Sequence, residues 1–255
     1  MPTIIACFKW VIDEAYIRKG SSGELDFSAV DFKISEYDRN AIEEAVRLRE
    51  AHGGKVVALT VGLPGAAKGV KDALSRGSDE AVFVADASFE NLEPSQTAEI
   101  LAAVIRSRVP DFDLIVCGEG SGDLYSQQVG ARLAEHLAIP CISFVQKLGV
   151  DGGSLTAERK VERYTEITSV PLPALVTVLP EINVPRIPGV KDTLTASRKP
   201  VATVRQEELP PVGEPRLQTI GVVAARMDRT CEKFGADEAE LARFADALRK
   251  KGAIR

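Results

Sequence analysis

Between Asp113 and Gly130 the sequence DLIVCGEGSGDLYSQQVG joins a short apolar run to a helical pattern through a turn holding Gly118, Gly120 and Gly122. Leu114, Ile115, Val116 and Cys117 follow one another without alternation, which suits a strand buried on both faces, as in parallel sheets covered by helices. The glycines let the backbone approach a bound group with no Cβ in the way. The chain is expected to resume as a helix near Ser126, with Val129, Leu133 and Leu137 at helical spacing. Amides of a first helical turn and the positive end of the dipole would then face the loop, a setting for a phosphate. The loop matches neither G-x-x-x-x-G-K-[ST] nor G-x-G-x-x-G and offers no lysine to a terminal phosphate, which argues against a motor-type nucleotide hydrolase.

The same strand-then-helix grammar runs through the first half of the chain. Ile4 to Trp10 reads as a first strand, followed by a polar excursion from Lys19 to Asp26. From Ser35 the residues ISEYDRNAIEEAVRLREAHGG begin with cap-type side chains, place Ala41, Ile42, Ala45, Val46 and Leu48 on one stripe, and stop at Gly53 and Gly54. Val56 to Val61 is a second strand, and Gly62 to Gly65 lead into a helix carrying Val70, Ala73 and Leu74. Ala81 to Ala85 is a third strand; Pro94 and Ser95 open the helix TAEILAAVIRSRV, and Pro110 stops it. Such alternation predicts an α/β fold, a doubly wound and mostly parallel sheet with right-handed crossovers. Ligands of these sheets gather at the carboxyl ends of strands where the order switches. The turns after Cys7, Val61 and Cys117 should open on that edge with Ser35 to Asp38 beside them, so one pocket draws on four stretches.

After Pro140 the pattern changes. Ile142 to Leu148, Ser154 to Thr168 and Ala174 to Leu179 follow without an intervening helix, and Asp151-Gly152-Gly153 is a turn signal, so a meander of antiparallel strands is expected. From Pro180 to Pro215 repeated prolines interrupt any core stripe, which predicts a surface course. Leu217 to Ala224 reads as a further strand, and Asp237 to Lys250 as an amphipathic helix carrying Leu241, Phe244, Ala245 and Leu248. The division expected is a nucleotide-binding domain over residues 1–180 and a recognition loop with a C-terminal arm over 181–255. That tail either packs on another chain or wraps its own domain.

Composition excludes several classes. A net charge of -5 argues against nucleic acid as a partner. Eighteen apolar residues never run together, so an integral membrane protein is not expected, and the start MPTIIACFKW lacks the features of a secretory signal, which points to the cytoplasm. Cys7, Cys117, Cys141 and Cys231 are dispersed with no C-x-x-C, so no metal site is assigned. His52 and His136 are the only histidines, and no nucleophile-base set or catalytic residue is assigned.

Six stretches in order, CFKWVIDE, DFSAVDFKISEYDRNAIEEAVRL, DALSRGSDEAV, DLIVCGEGSGDLYSQQVG, the run ending VPLPALVTV, and INVPRIPGVK with RKPV after it, together resemble the beta subunit of electron transfer flavoprotein, and within it the Fix-type branch. The resemblance covers nearly the whole chain. It implies a sheet of the adenine nucleotide alpha hydrolase-like type with an antiparallel meander and an extended C-terminal arm. It further implies a heterodimer whose alpha subunit holds the redox FAD, and an adenine nucleotide, AMP or a second FAD, in this subunit. The positions matching the family's contacts are Cys7, Ser35, Glu36, Tyr37, Asp38, Val61, Gly118, Glu119, Gly120, Ser121, Gly122, Asp123, Leu124, Tyr125, Ser126, Gln127, Gln128 and Val129. The resemblance puts adenosine by Cys7, Val61 and Asp123, and phosphate by Ser126 to Val129. Transient partners implied are a dehydrogenase and a quinone oxidoreductase, met through Pro185, Arg186, Ile187 and Pro188.

The chain departs from the family at two places. Electron-bifurcating members carry D-G-D-T-A-Q-V-G-P where this chain has Asp123-Leu124-Tyr125-Ser126-Gln127-Gln128-Val129-Gly130-Ala131, so Leu124, Tyr125 and Ala131 differ. The segment Pro185 to Lys191 is about three residues shorter than the family's recognition loop and leaves Ile187 as the apolar anchor. Near the flavin face Tyr37 matches an aromatic position, and Glu14 replaces a tyrosine, with Tyr16 two residues on. Rival readings are an adenine-nucleotide hydrolase, since Ser121-Gly122-Asp123 echoes the S-G-G-x-D-S loop, and a nucleotide sensor without a redox partner.

Overall fold

A computed structural model of the chain describes residues 2–20, 24–217, 219–224 and 231–254. Its strands and α-helices in chain order are β1 (Thr3–Cys7), β2 (Trp10–Ile12), β3 (Arg18–Lys19), β4 (Leu25–Asp26), β5 (Phe32–Ile34), α1 (Glu36–His52), β6 (Lys55–Gly62), α2 (Ala67–Ser75), β7 (Glu80–Ala85), α3 (Pro94–Arg108), β8 (Leu114–Gly118), α4 (Val129–Leu137), β9 (Cys141–Asp151), β10 (Ser154–Lys160), β11 (Thr165–Pro171), β12 (Ala174–Val178), α5 (Val190–Ala196), β13 (Val201–Val204) and α6 (Glu238–Lys250). The chain forms two compact units, Met1–Arg18 with Asp26–Ile220, and Lys19–Leu25 with Gly221–Arg255.

In the first unit one sheet runs β11-β10-β9-β12-β8-β1-β6-β7-β13. Pairings from β9 across to β13 are parallel. Strands β10 and β11 extend the β9 edge antiparallel. Because side chains alternate along a strand, each central strand feeds two cores. Ile4, Ala6, Val56 and Ala58 meet Ala41, Ile42 and Val70 of α1 and α2 on one face. Ile5, Cys7, Val57 and Leu59 meet Leu101, Ile105 and Leu133 of α3 and α4 on the other. The fold is thus α/β with helices on both faces, as the sequence predicts.

Local chemistry sets the helix ends. Helix α1 opens at Ser35 with Glu36 and Asp38 in its first turn, carries Arg49 and His52 in its last, and ends on Gly53 at φ 74°. Those charges complement the helix dipole, and the positive φ suits glycine. Helix α3 begins with a capping box in which Glu93 and Gln96 exchange bonds, with Pro94 at its first turn. In the second unit, the Asp237 side chain caps α6 by accepting from the Glu240 N–H at 3.0 Å. Within it the Phe244 ring lies 5.3 Å from that of Phe234.

Four sequence expectations need correction. The first strand leaves the sheet after Cys7, and Trp10 instead begins β2, which pairs antiparallel with β5. The departure has a cause: the Lys9 N–H donates to the Asp38 carboxylate and the Lys9 carbonyl accepts from the Ser35 N–H. The run Ser154 to Thr168 is two strands, β10 and β11. Ala174–Val178 does not close the meander; as β12 it lies parallel between β8 and β9 with all five residues buried. A wholly apolar run belongs inside a sheet whose faces are both covered. No strand forms among the described residues of Leu217 to Ala224; position 218 and positions 225–230 lie outside the described residues.

Candidate functional site

Strand β1 has β6 on one side and β8 on the other, so the chain reverses its direction of travel across the sheet there. The carboxyl ends of β1 and β8 therefore flank a switch point, the place where parallel sheets leave a crevice. The start of α1 is driven into that edge. Asp38 is buried, and its two oxygens accept from Lys9 N–H at 2.8 Å and Gly118 N–H at 3.1 Å. One carboxylate thus fastens the exits of β1 and β8 together. Ser35 is fully buried at the cap of α1, yet its hydroxyl is not spent on its own helix. It accepts instead from the Gly122 N–H at 3.2 Å, which ties the glycine loop to α1.

The three loop glycines do different jobs. A Cβ on Gly118 would lie 2.5 Å from an Asp38 oxygen and 2.8 Å from the Tyr37 backbone, and one on Gly120 would lie 2.7 Å from the Tyr125 ring. Their bareness makes room for the protein's own side chains. Only at Gly122 does a Cβ meet nothing within 4 Å, so among the three that position alone opens outward. The expectation that all three serve a bound group is narrowed accordingly.

Helix α4 begins at Val129 with Gln128 as its cap, three residues later than the expected start at Ser126. Tyr125 and Gln127 have φ of 46° and 57°, left-handed values that a right-handed helix cannot continue through. Left-handed Gln127 followed by right-handed Gln128 curls successive N–H groups toward one concave side, a nest of the kind that holds anions. Among the described residues, the backbone N–H groups from Ser126 to Ala131 find no acceptor in the chain. Those of Gly118, Glu119, Gly122, Leu124 and Tyr125 do, on Asp38, Val178, Ser35, Asp123 and Ser121.

Charge around the loop is arranged in pairs. Lys9 Nζ donates to Asp123 at 2.6 Å. Burial pushes the Asp123 carboxyl up, but the charge and hydrogen bond of Lys9, with help from Ser121 and the Leu124 N–H, bring it below its ordinary range. Burial raises Asp38 to about 7 against the opposing pull of the Lys9 and Gly118 amides. Burial also raises Glu119, which accepts from the Tyr125 phenol; that bond and partial burial lift Tyr125 to about 12. The Tyr125 ring lies 5.2 Å from that of Tyr37. Cys7 stands beside Cys117 across the β1–β8 pair, one register step beyond Ala6 and Val116. The neighbouring thiol and burial raise Cys117 well above its usual value, so these cysteines are packing groups and not nucleophiles.

A family model described as electron transfer flavoprotein domain matches residues 24–216. The chain belongs to the electron transfer flavoprotein family. In this electron transfer flavoprotein the matched span takes in the α1 cap, the glycine loop and the 185–188 segment, while Cys7 falls before it. Cys7, Ser35, Tyr37, Asp38 and Gly118 to Val129 are brought to one sheet edge, with Val61 at the end of neighbouring β6. Glu36 is turned away, exposed and bonded to Lys33 Nζ at 2.9 Å. Sequence reasoning missed Lys9 as a member of the site; its place just after an apolar strand end was the available signal. It also missed β12, whose Val178 carbonyl receives the Glu119 N–H.

The segment expected to meet partners is fixed at one residue and bare at the next. Arg186 Nε donates to Glu43 at 2.7 Å and its Nη1 to Glu50 at 2.8 Å, pinning the segment to α1. Ile187 beside it is 93% exposed, an apolar side chain presented by a rigid support. Val184, Val190 and Leu194 extend the exposed apolar surface.

Proposed function

We propose that this electron transfer flavoprotein family member is the beta-type, Fix-branch subunit of a cytoplasmic heterodimer, and that it holds an adenine nucleotide, AMP or a second FAD, at the switch-point edge. The observation that carries the reading is the uninterrupted row of backbone N–H groups from Ser126 to Ala131, without acceptors in the described chain, at the start of α4. Such a row, with the dipole behind it, suits the phosphate of a nucleotide. The open face of Gly122 gives backbone room beside it. Ser35, Asp38 and Lys9 act on the loop rather than on a ligand: they hold its backbone in the shape that exposes those amides. No acid–base or nucleophilic set is needed, because the FAD of the partner alpha subunit supplies the redox chemistry. Residues 181–255 serve the assembly, with Ile187 at a docking surface for a dehydrogenase or a quinone oxidoreductase and α6 on the alpha subunit.

Co-expression with candidate alpha subunits, followed by denaturation of the purified complex and chromatography of the released nucleotides, tests this. The expected result is a one-to-one complex that carries FAD and releases an adenine nucleotide assignable to this chain by its loss in Gly130→Ala. A stable complex whose only nucleotide is unaffected by that substitution would refute the assignment of the site.

A further inference from the structure

Resting on the nucleotide reading above, the way Tyr125 is held decides how much phosphate the loop can take. A pyrophosphate presents two charged groups, and a loop that cradles both needs free amides on both of its limbs. Here the descending limb is already used: Gly118, Glu119, Gly122, Leu124 and Tyr125 all donate within the chain. Free donors begin at Ser126, directly after Tyr125. Tyr125 also takes up the space there. Its ring folds back on Gly120, its phenol is anchored on Glu119, and its ring edge is braced by Tyr37 at 5.2 Å. With the phenol raised to about 12, the anchor keeps its proton throughout the neutral range.

We propose that Tyr125 is the specificity-determining residue of the site, a strut that limits the cradle to one phosphate group and so selects a nucleoside monophosphate over a diphosphate or a dinucleotide. The substitutions that test it must tolerate the left-handed backbone at φ 46°, which makes Tyr125→Gly and Tyr125→Asn the suitable pair. Titration calorimetry of the full-length protein, freed of bound nucleotide, is run with AMP, ADP and FAD, and circular dichroism checks each variant's fold.

The wild type is expected to bind AMP at least about tenfold more tightly than ADP or FAD, and both variants to bring ADP within about threefold of AMP. ADP or FAD binding to the wild type as tightly as AMP overturns the role of Tyr125 and leaves the nucleotide reading standing. So does an unchanged preference for AMP in both folded variants. Failure of the wild type to bind any of the three overturns the nucleotide reading itself, and this inference with it.

Discussion

Replacing the Asp38 carboxylate by a carboxamide, as in Asp38→Asn, changes one oxygen to an amide nitrogen without changing the shape of a buried side chain. In the wild type both oxygens accept, from Lys9 N–H and Gly118 N–H. The carboxamide offers one acceptor, so one of those two amides faces a second donor, a loss of about 1–3 kcal/mol for an unpaired buried group. Against this stands the burial of charge. Asp38 titrates at about 7 in the fold, raised from 3.8 by burial against the pull of its amide partners. A carboxyl whose folded pKa is raised contributes its full stability below about pH 4 and loses it as pH climbs through about 7, because over that window the folded state binds more protons than the unfolded one. The difference, near three units at about 1.4 kcal/mol each, amounts to roughly 4 kcal/mol. The substituted side chain does not titrate. The two unfolding free energies should therefore converge as pH rises from about 4 to about 7, with the variant moving in its own favour by several kcal/mol and the order reversing near the upper end. Urea denaturation of both proteins at matched ionic strength measures the difference, and other titrating groups cancel because both proteins carry them. A difference that is flat with pH, or that grows in favour of Asp38 as pH rises, would refute the reasoning.

A Cβ on Gly130 would lie 2.5 Å from Thr177 Cγ2. Gly130→Ala should cost about 1–3 kcal/mol in thermal melts and displace the start of α4, and adding Thr177→Ser, which deletes only the offending methyl, should restore most of the loss. Glu43 has 5% of its side chain exposed and depends on Arg186 and Arg47; burial pushes its carboxyl up, and these two arginines more than reverse that. Arg186→Ala should destabilise the fold by about 2 kcal/mol, less than for a fully buried pair because Arg186 is about one-third exposed. Arg186→Lys, which cannot fork onto Glu43 and Glu50 together, should recover less than half of that loss in urea denaturation.

The alternation of apolar runs with helical stripes was enough to predict the parallel sheet, α1 to α4 and the edge at which Cys7, Ser35 to Asp38 and Gly118 to Val129 meet. Those features depend on periodicity and caps, which act over neighbouring residues and are written locally. Three things depended on distant partners. Lys9 leaves the sheet because Asp38, 29 residues on, captures its amide. Ala174–Val178 looks like any apolar strand; only the open places beside β8 and β9 decide that it lies parallel in the interior. The bareness of Gly118 and Gly120 reads as space for a ligand until the fold fills it with Asp38, Tyr37 and Tyr125. A sequence specifies which residues lack side chains, but packing, which is non-local, decides what occupies the room they leave.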